Sequence, residues 1–291
     1  MSAPPNTVGR RPGGDRVRGT GFYILLLVAV TVGFVLLFVL LVDVIRKGIG
    51  YVDLTLLNEP NSSDPSKAGA GPAIRGTIYM MVILLVVVVP LGVGTALYLE
   101  EYADRNRWYN RLLEVNIQNL AAVPSIVYGI LGLAFLVRGI GLGRVLLAGA
   151  LILTLLVLPT VIVASREAIR AVPDSIRQGA YALGATQWQV VRRQVLPAAI
   201  PGIATGSILA LARAIGETAP LLLVGALTFV AINPTLLGSF TALPVQIYQW
   251  IARPQDEFRL LAAAGIIVLL AILLTMNAFA IWLRNRYQRR W

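Results

Sequence analysis

Residues 22–42 form a run of 21 residues without a charged side chain. A helix of about 20 apolar residues is what it takes to cross a hydrocarbon core of about 30 Å. Lipid offers no hydrogen-bond partners, so a backbone inside it must satisfy its own amides, as a helix does. Five further apolar runs follow at about 74–99, 112–137, 145–165, 200–230 and 260–283. The expectation is an all-α integral membrane protein with about six transmembrane helices. Composition agrees: 57% of residues are apolar and 13% charged, about half the charge of a soluble domain. The first run exceeds a signal-peptide core and no small-x-small cleavage pattern follows it, so it reads as a retained span.

The remaining segments divide into arm, loops and tail. Residues 1–20 carry four arginines among Pro and Gly and read as a disordered basic arm. Residues 284–291 read as a basic tail. Residues 48–73 and 231–258 are rich in Pro, Asn, Gly or Ser and read as loops, with Tyr248 and Trp250 suited to a membrane interface. Inside the second run Pro90 sits near Gly92 and Gly94, breakers tolerated where neighbours or a cavity supply partners. The third run opens with Glu114, Asn116, Gln118 and Asn119, and the amides among them are expected to face the bundle interior.

The formal net charge of +11 lies almost wholly in the loops and termini. It therefore speaks for membrane orientation rather than nucleic-acid binding. The arm, the tail and the second and fourth loops hold twice the Lys and Arg of the other three loops. That excess assigns both termini and residues 166–199 to the cytoplasm of a multi-pass protein. The chain has neither cysteine nor histidine, which removes disulfides, thiol and imidazole catalysis and the usual zinc ligands. It also lacks any Gly-Lys pair, hence a phosphate-binding loop for nucleotide.

Residues 178–197, QGAYALGATQWQVVRRQVLP, are long and polar for such a chain. Pro173 and Asp174 suit a helix start, and Gly184 stops that helix. Thr186 and Gln189 have capping-box spacing for a second helix, which Leu196 and Pro197 end. Such a helix-Gly-helix hairpin between two spans is a docking surface or a plain connector.

The second polar feature lies inside the fifth run, ALARAIGETAPL. An arginine at the centre of a membrane helix costs about 2.5 to 3.5 kcal/mol on insertion scales. Glu217 is four residues beyond Arg213, on the same helical face, and partly neutralises it. Gly216 and Pro220 open the helix locally. Either the pair fixes helix register, or it faces a water-filled path where an anion competes with Glu217 for the guanidinium. Arginine suits the second role because its planar fork matches tetrahedral oxyanions.

The hairpin is similar to the cytoplasmic EAA loop of ABC importer permeases, with Gln178, Gly179 and Ala180 in the Glu-Ala-Ala places, Gly184 followed by Ala185 at the glycine, and Leu196 with Pro197 at the close. With RAIGETAPL after it, the chain resembles the phosphate-specific ABC permease subunits of the PstA type, of type I importer architecture, from residue 22 onward. The resemblance implies that Gln178, Gly179, Ala180, Gly184, Ala185, Leu196 and Pro197 dock on an ATPase. It implies a substrate path at Arg213, Glu217 and Thr218, with Asn277 as a further lining residue. Phosphate uptake by alternating access would then be driven by a PstB-like ATPase dimer, which holds ATP and Mg while this chain binds no cofactor. A PstC-like permease completes the path, and a PstS-like periplasmic protein delivers substrate to residues 48–73 and 231–258. The PstC-like half, or a permease for another oxyanion such as sulfate or molybdate, would share the loop. A secondary anion carrier needs more titratable groups than Glu217 at depth.

Overall fold

In the computed structural model the backbone of residues 13–104, 106–226 and 233–287 is described. Twelve α-helices are labelled here: α1 Gly13–Gly48, α2 Leu54–Asn58, α3 Gly71–Leu97, α4 Trp108–Ala121, α5 Ser125–Gly132, α6 Leu146–Arg170, α7 Asp174–Ala182, α8 Gln187–Val190, α9 Leu196–Ile215, α10 Ala219–Val224, α11 Leu243–Ile251 and α12 Asp256–Tyr287. Short π-helical segments extend α3 and α5 and join α8 to α9. Among the described residues five helical segments are long and apolar enough to cross a membrane, and the bent α4–α5 pair, taken as one span, makes a sixth.

The six expected runs each contain such a helix, with several changes of detail. The third is not one rod: α4 and α5 meet at 105°, because Pro124 has no amide to donate and disfavours helix for Val123 before it. The fifth begins earlier, since the hairpin's second helix runs on without a stop from Gln187 to Ile215. Leu196 and Pro197 therefore open α9 instead of closing the hairpin. The π-helical turn Val191–Val195 precedes Pro197, and a wider turn there accommodates a ring that lacks an N–H. The arm is helical from Gly13 onward; residues 1–12, 227–232 and 288–291, to which parts of the expected arm, fifth run and tail belong, lie outside the described residues.

Helix α6 is the axis of the bundle, lying between α3 and α9. Its Ile152, Leu153, Val157 and Val161 are buried with Leu84 and Val88 of α3 and Leu211 and Ile215 of α9. Small residues let the backbones close: a Cβ on Gly206 would meet that of Ala164 at 2.4 Å, and one on Gly202 that of Ala168 at 2.7 Å. By contrast α1 presents nearly all its large apolar side chains outward, while Gly48 at its end lies against the backbone of Ala263 and Ala264.

One end of the bundle carries a folded cap. Residues 48–73, expected as loop, contain α2, capped by Asp53 accepting from the Leu56 amide at 2.7 Å. Trp250 donates its indole N–H to Asn61 at 2.9 Å, Gln246 reaches the Gly69 carbonyl at 3.0 Å, and the Arg253 guanidinium lies 4.1 Å from the Phe258 ring centre. Trp250 is thus wholly buried in protein rather than seated at a lipid interface, because α11 turns its indole under the cap; Tyr248 is the exposed one. The other end carries the α7–α8 hairpin.

Candidate functional site

The hairpin is built from local capping. Pro173 precedes α7 and Asp174 sits in its first turn. At its end Gly184 has φ +80°, a left-handed conformation open to glycine at no steric cost. The Gly184 amide donates to the Tyr181 carbonyl at 2.9 Å and the Ala185 amide to the Ala180 carbonyl at 3.2 Å, the paired bonds of a Schellman motif. Thr186 then caps α8: its hydroxyl accepts from the Gln189 amide and its own amide donates to the Gln189 side chain at 2.9 Å. The turn at Gly184 closes through backbone bonds, and Tyr181, Leu183 and Trp188 protrude around it, Leu183 with 90% of its surface exposed. Gln178, Gly179 and Gly184 are exposed, and Ala180, Ala185, Leu196 and Pro197 half-buried. The expected docking residues thus split into an exposed tip and a half-buried base. Sequence reasoning passed over Leu183, the most exposed apolar side chain there, although leucine beside a turn glycine in a polar loop was the signal.

The hairpin is rooted by ion pairs across the bundle end. Arg177 of α7 holds Glu101 at 2.8 Å and donates to the Val172 and Ile169 carbonyls at 2.6 and 3.0 Å. The Gln187 side chain donates to the Glu101 carbonyl. At the foot of α6, Arg166 pairs with Glu100 at 2.7 Å and with Glu114 at 2.5 Å, and Arg170 with Glu100 at 2.9 Å. The side chains of Arg166 and Glu100 are 7% and 2% exposed, so neither charge keeps a solvent shell. Glu100, Glu101 and Glu114 look from sequence like part of a charged turn and a polar helix start. Arginines at 166, 170 and 177 across from them were the available signal, but only the packing of α3, α4 and α6 joins the two sets. Glu114 faces Arg166 at the bundle end, whereas Asn116, Gln118 and Asn119 are exposed on this chain. The expectation that these amides face the interior of its own bundle is corrected: α4 packs on α6 through the stripe that carries Asn110, Glu114 and Ile117, and the amides lie off it.

The membrane-depth pair sits at a break and not along one helix. The α9 helix ends at Ile215, and α10 starts at Ala219 with Pro220 in its first turn. Arg213 occupies the last turn of α9, and Glu217 lies in the intervening link, its carboxylate 3.5 Å from the Arg213 Nε. The Arg213 side chain is 63% exposed and that of Glu217 16%. Thr218 stays in the link, its hydroxyl donating to the Gly216 carbonyl at 3.3 Å. A small recess beside the pair is lined by Ala121 and Val123 of the α4–α5 bend, Leu156, Val157 and Thr160 of α6, and Ala210 of α9. The break is braced from α5, since a Cβ on Gly129 would meet the Pro220 Cα at 2.7 Å. Asn277 is half-buried on α12 and is not among the residues lining this recess. Chemically, the pair offers a guanidinium that is mostly accessible and held by one long contact, an arrangement that exchanges a carboxylate for another oxyanion at little cost.

Comparison with known proteins comes to the same architecture. The sequence profile described as "Binding-protein-dependent transport system inner membrane component" matches residues 88–291. The chain is 34% identical over 222 residues to the phosphate transport system permease protein PstA 1 of Mycobacterium tuberculosis H37Rv, covering 76% of this chain and 71% of that one. It is 34% identical over 243 residues to PstA of Yersinia pestis, covering 83% and 81%. It is also 40% identical over 171 residues to the probable ABC transporter permease YqgH of Bacillus subtilis, where the match spans 56% of this chain and about half, 54%, of the relative. Among solved structures it resembles a bacterial alginate ABC transporter at a TM-score of 0.68 and 17% identity, covering 96% and 99% of the two chains. It resembles the MetNI methionine transporter at 0.58 and 19%, covering 74% and 92%. These two likenesses are of fold.

Proposed function

The chain belongs to the family of binding-protein-dependent transport system inner membrane components, and on that premise we propose that it is the permease subunit of an ATP-driven importer of inorganic phosphate. The observation that carries the proposal is the Arg213–Glu217 pair at the α9–α10 break, an arginine whose side chain is 63% exposed and held by its carboxylate at 3.5 Å. Relatives named for phosphate transport, at 34% identity over three quarters or more of the chain, support phosphate as the oxyanion. Thr218 stands beside the pair as a hydroxyl donor, and Asn277 belongs to the path at another depth.

Bringing an anion into an inside-negative cell costs about 2.3 kcal/mol per charge per 100 mV before any concentration gradient. The work comes from a PstB-like ATPase dimer that holds ATP and Mg, while this chain binds neither. The dimer docks on the exposed hairpin tip around Gln178, Gly179 and Gly184, backed by the base at Ala180, Ala185, Leu196 and Pro197. Hairpin and termini face the cytoplasm. A PstC-like chain covers the exposed amides of α4 and closes the path around Arg213, and a PstS-like binding protein meets the cap. Alternating access follows as the hairpins move the helices rooted on them.

The test is uptake of radiolabelled phosphate by vesicles holding the reconstituted complex, with sulfate as competitor. Wild-type uptake should depend on ATP and survive excess sulfate. Arg213→Glu should abolish it while the complex still copurifies. Normal uptake in that variant would return the pair to a structural role, and competition by sulfate would assign a different oxyanion.

A further inference from the structure

We infer that Glu114 is a positioning residue that couples the docking hairpin to the Arg213–Glu217 recess, with α4 as the moving arm; this rests on the function proposed above. Helix α4 is poorly anchored by apolar packing. Of its 14 residues only Asn110 is buried, and Leu112, Leu113, Val115 and Leu120 are exposed. A loop precedes it and a 105° bend follows it, so neither end continues into a rigid helix. Its main tie to the bundle is polar: Glu114 pairs with Arg166 at 2.5 Å and approaches Arg170 at 3.6 Å.

Those arginines belong to the hairpin's root. Arg166 also holds Glu100, whose neighbour Glu101 holds Arg177 of α7. The contacts therefore run from α7 through Glu101 and Glu100 to Arg166, then to Glu114. From Glu114 two turns of α4, about 10 Å, reach Ala121, which with Val123 forms one wall of the recess beside Arg213.

The two carboxylates on Arg166 are unequal, and that inequality makes a switch. Glu100 is 2% exposed and Glu114 37%. Releasing Glu100 from Arg166 would take one of its arginines from a carboxylate that water hardly reaches, whereas Glu114 can exchange its partner for solvent. A second acceptor for the guanidinium is already in place. The buried carboxamide oxygen of Asn110 has no donor among the described residues, and Asn110 lines the same small cavity as Arg111, Glu114 and Arg166. An arm with two discrete polar arrangements converts a shift of the hairpin into a shift of the recess wall.

The experiment uses the complete complex in vesicles and measures ATPase copurification, ATP hydrolysis and phosphate uptake for wild type, Glu114→Gln and Glu114→Asp. For Glu114→Gln, copurification and hydrolysis should be retained while phosphate taken up per ATP falls about tenfold, in the range of ordinary coupling free energies; Glu114→Asp should recover most of the ratio. A wild-type ratio in Glu114→Gln, or a fall only in step with lost assembly, would overturn the inference. The chain has no cysteine of its own, so spin labels at Leu120→Cys on α4 and Leu155→Cys on α6 give a second measure in the otherwise unaltered chain. Their separation should change between nucleotide-free and ATP-trapped complex, and a constant separation would equally overturn it. Vesicles that hydrolyse ATP but take up no phosphate would refute the proposed function instead, and the label distance, read without phosphate, still decides the role of Glu114.

Discussion

Replacing Gly184 by alanine tests the backbone of the α7–α8 hairpin with little other change within this chain. A Cβ at this position meets nothing within 4 Å, and alanine keeps the amide that donates to the Tyr181 carbonyl at 2.9 Å. What changes is conformation alone: φ is +80°, where an L-residue with a Cβ pays about 1 to 2 kcal/mol. That strain lowers the equilibrium constant of the Schellman turn by a factor of about 5 to 30, and a partner that binds only the intact turn loses up to that factor in apparent affinity. The measurement is the dissociation constant of purified ATPase subunit from the permease in detergent. Gly184→Asn should lose less, because asparagine visits the left-handed region more readily. Gly184→Pro should abolish binding, since it forces φ negative and deletes the amide. Equal affinities for Gly184→Ala and wild type would refute the reasoning.

Three other outcomes follow from the packing. Arg166→Met leaves Glu100 at 2% exposure with one arginine fewer, Arg170 staying beside it at 2.9 Å, and should cost up to about 3 to 5 kcal/mol, seen as a lower melting temperature of the solubilised protein. Arg170→Met, whose own side chain is 40% exposed, should cost clearly less. Gly206→Val should push α9 off α6, because the added Cβ would meet that of Ala164 at 2.4 Å; a loss of about 1 to 3 kcal/mol is expected, measured by thermal melting in detergent. Trp250→Ala empties a fully buried site and removes the bond its indole donates to Asn61, costing about 3 to 5 kcal/mol and exposing residues 48–73 to limited proteolysis.

The hairpin was the most legible part of the candidate site. Gly184, Thr186 and Gln189 act within a few residues of one another, so their spacing alone carries the turn, and the capping box forms as the spacing predicts. Its continuation was not legible. Pro197 reads as a stop because a proline removes a helical hydrogen bond, yet a π-helical turn ahead of it lets the helix run on into the membrane. At Arg213 and Glu217 more was legible. Their separation announces an ion pair and Gly216 with Pro220 an opening, and the helix breaks there; only the packing shows α5 lying against Pro220.

Sequence alone determined that this chain crosses a membrane about six times on helices, because the hydrocarbon forbids any other use for such long uncharged runs. It also determined where the two polar exceptions lie. Tertiary structure decided which charges meet. Glu100, Glu101 and Glu114 stand more than fifty residues from the arginines they hold, and no periodicity links positions so far apart. It likewise decided that Trp250 is core and not interface. Whether a side chain faces lipid or a neighbouring helix depends on the rotation of packed helices, which the order of residues along one helix leaves open.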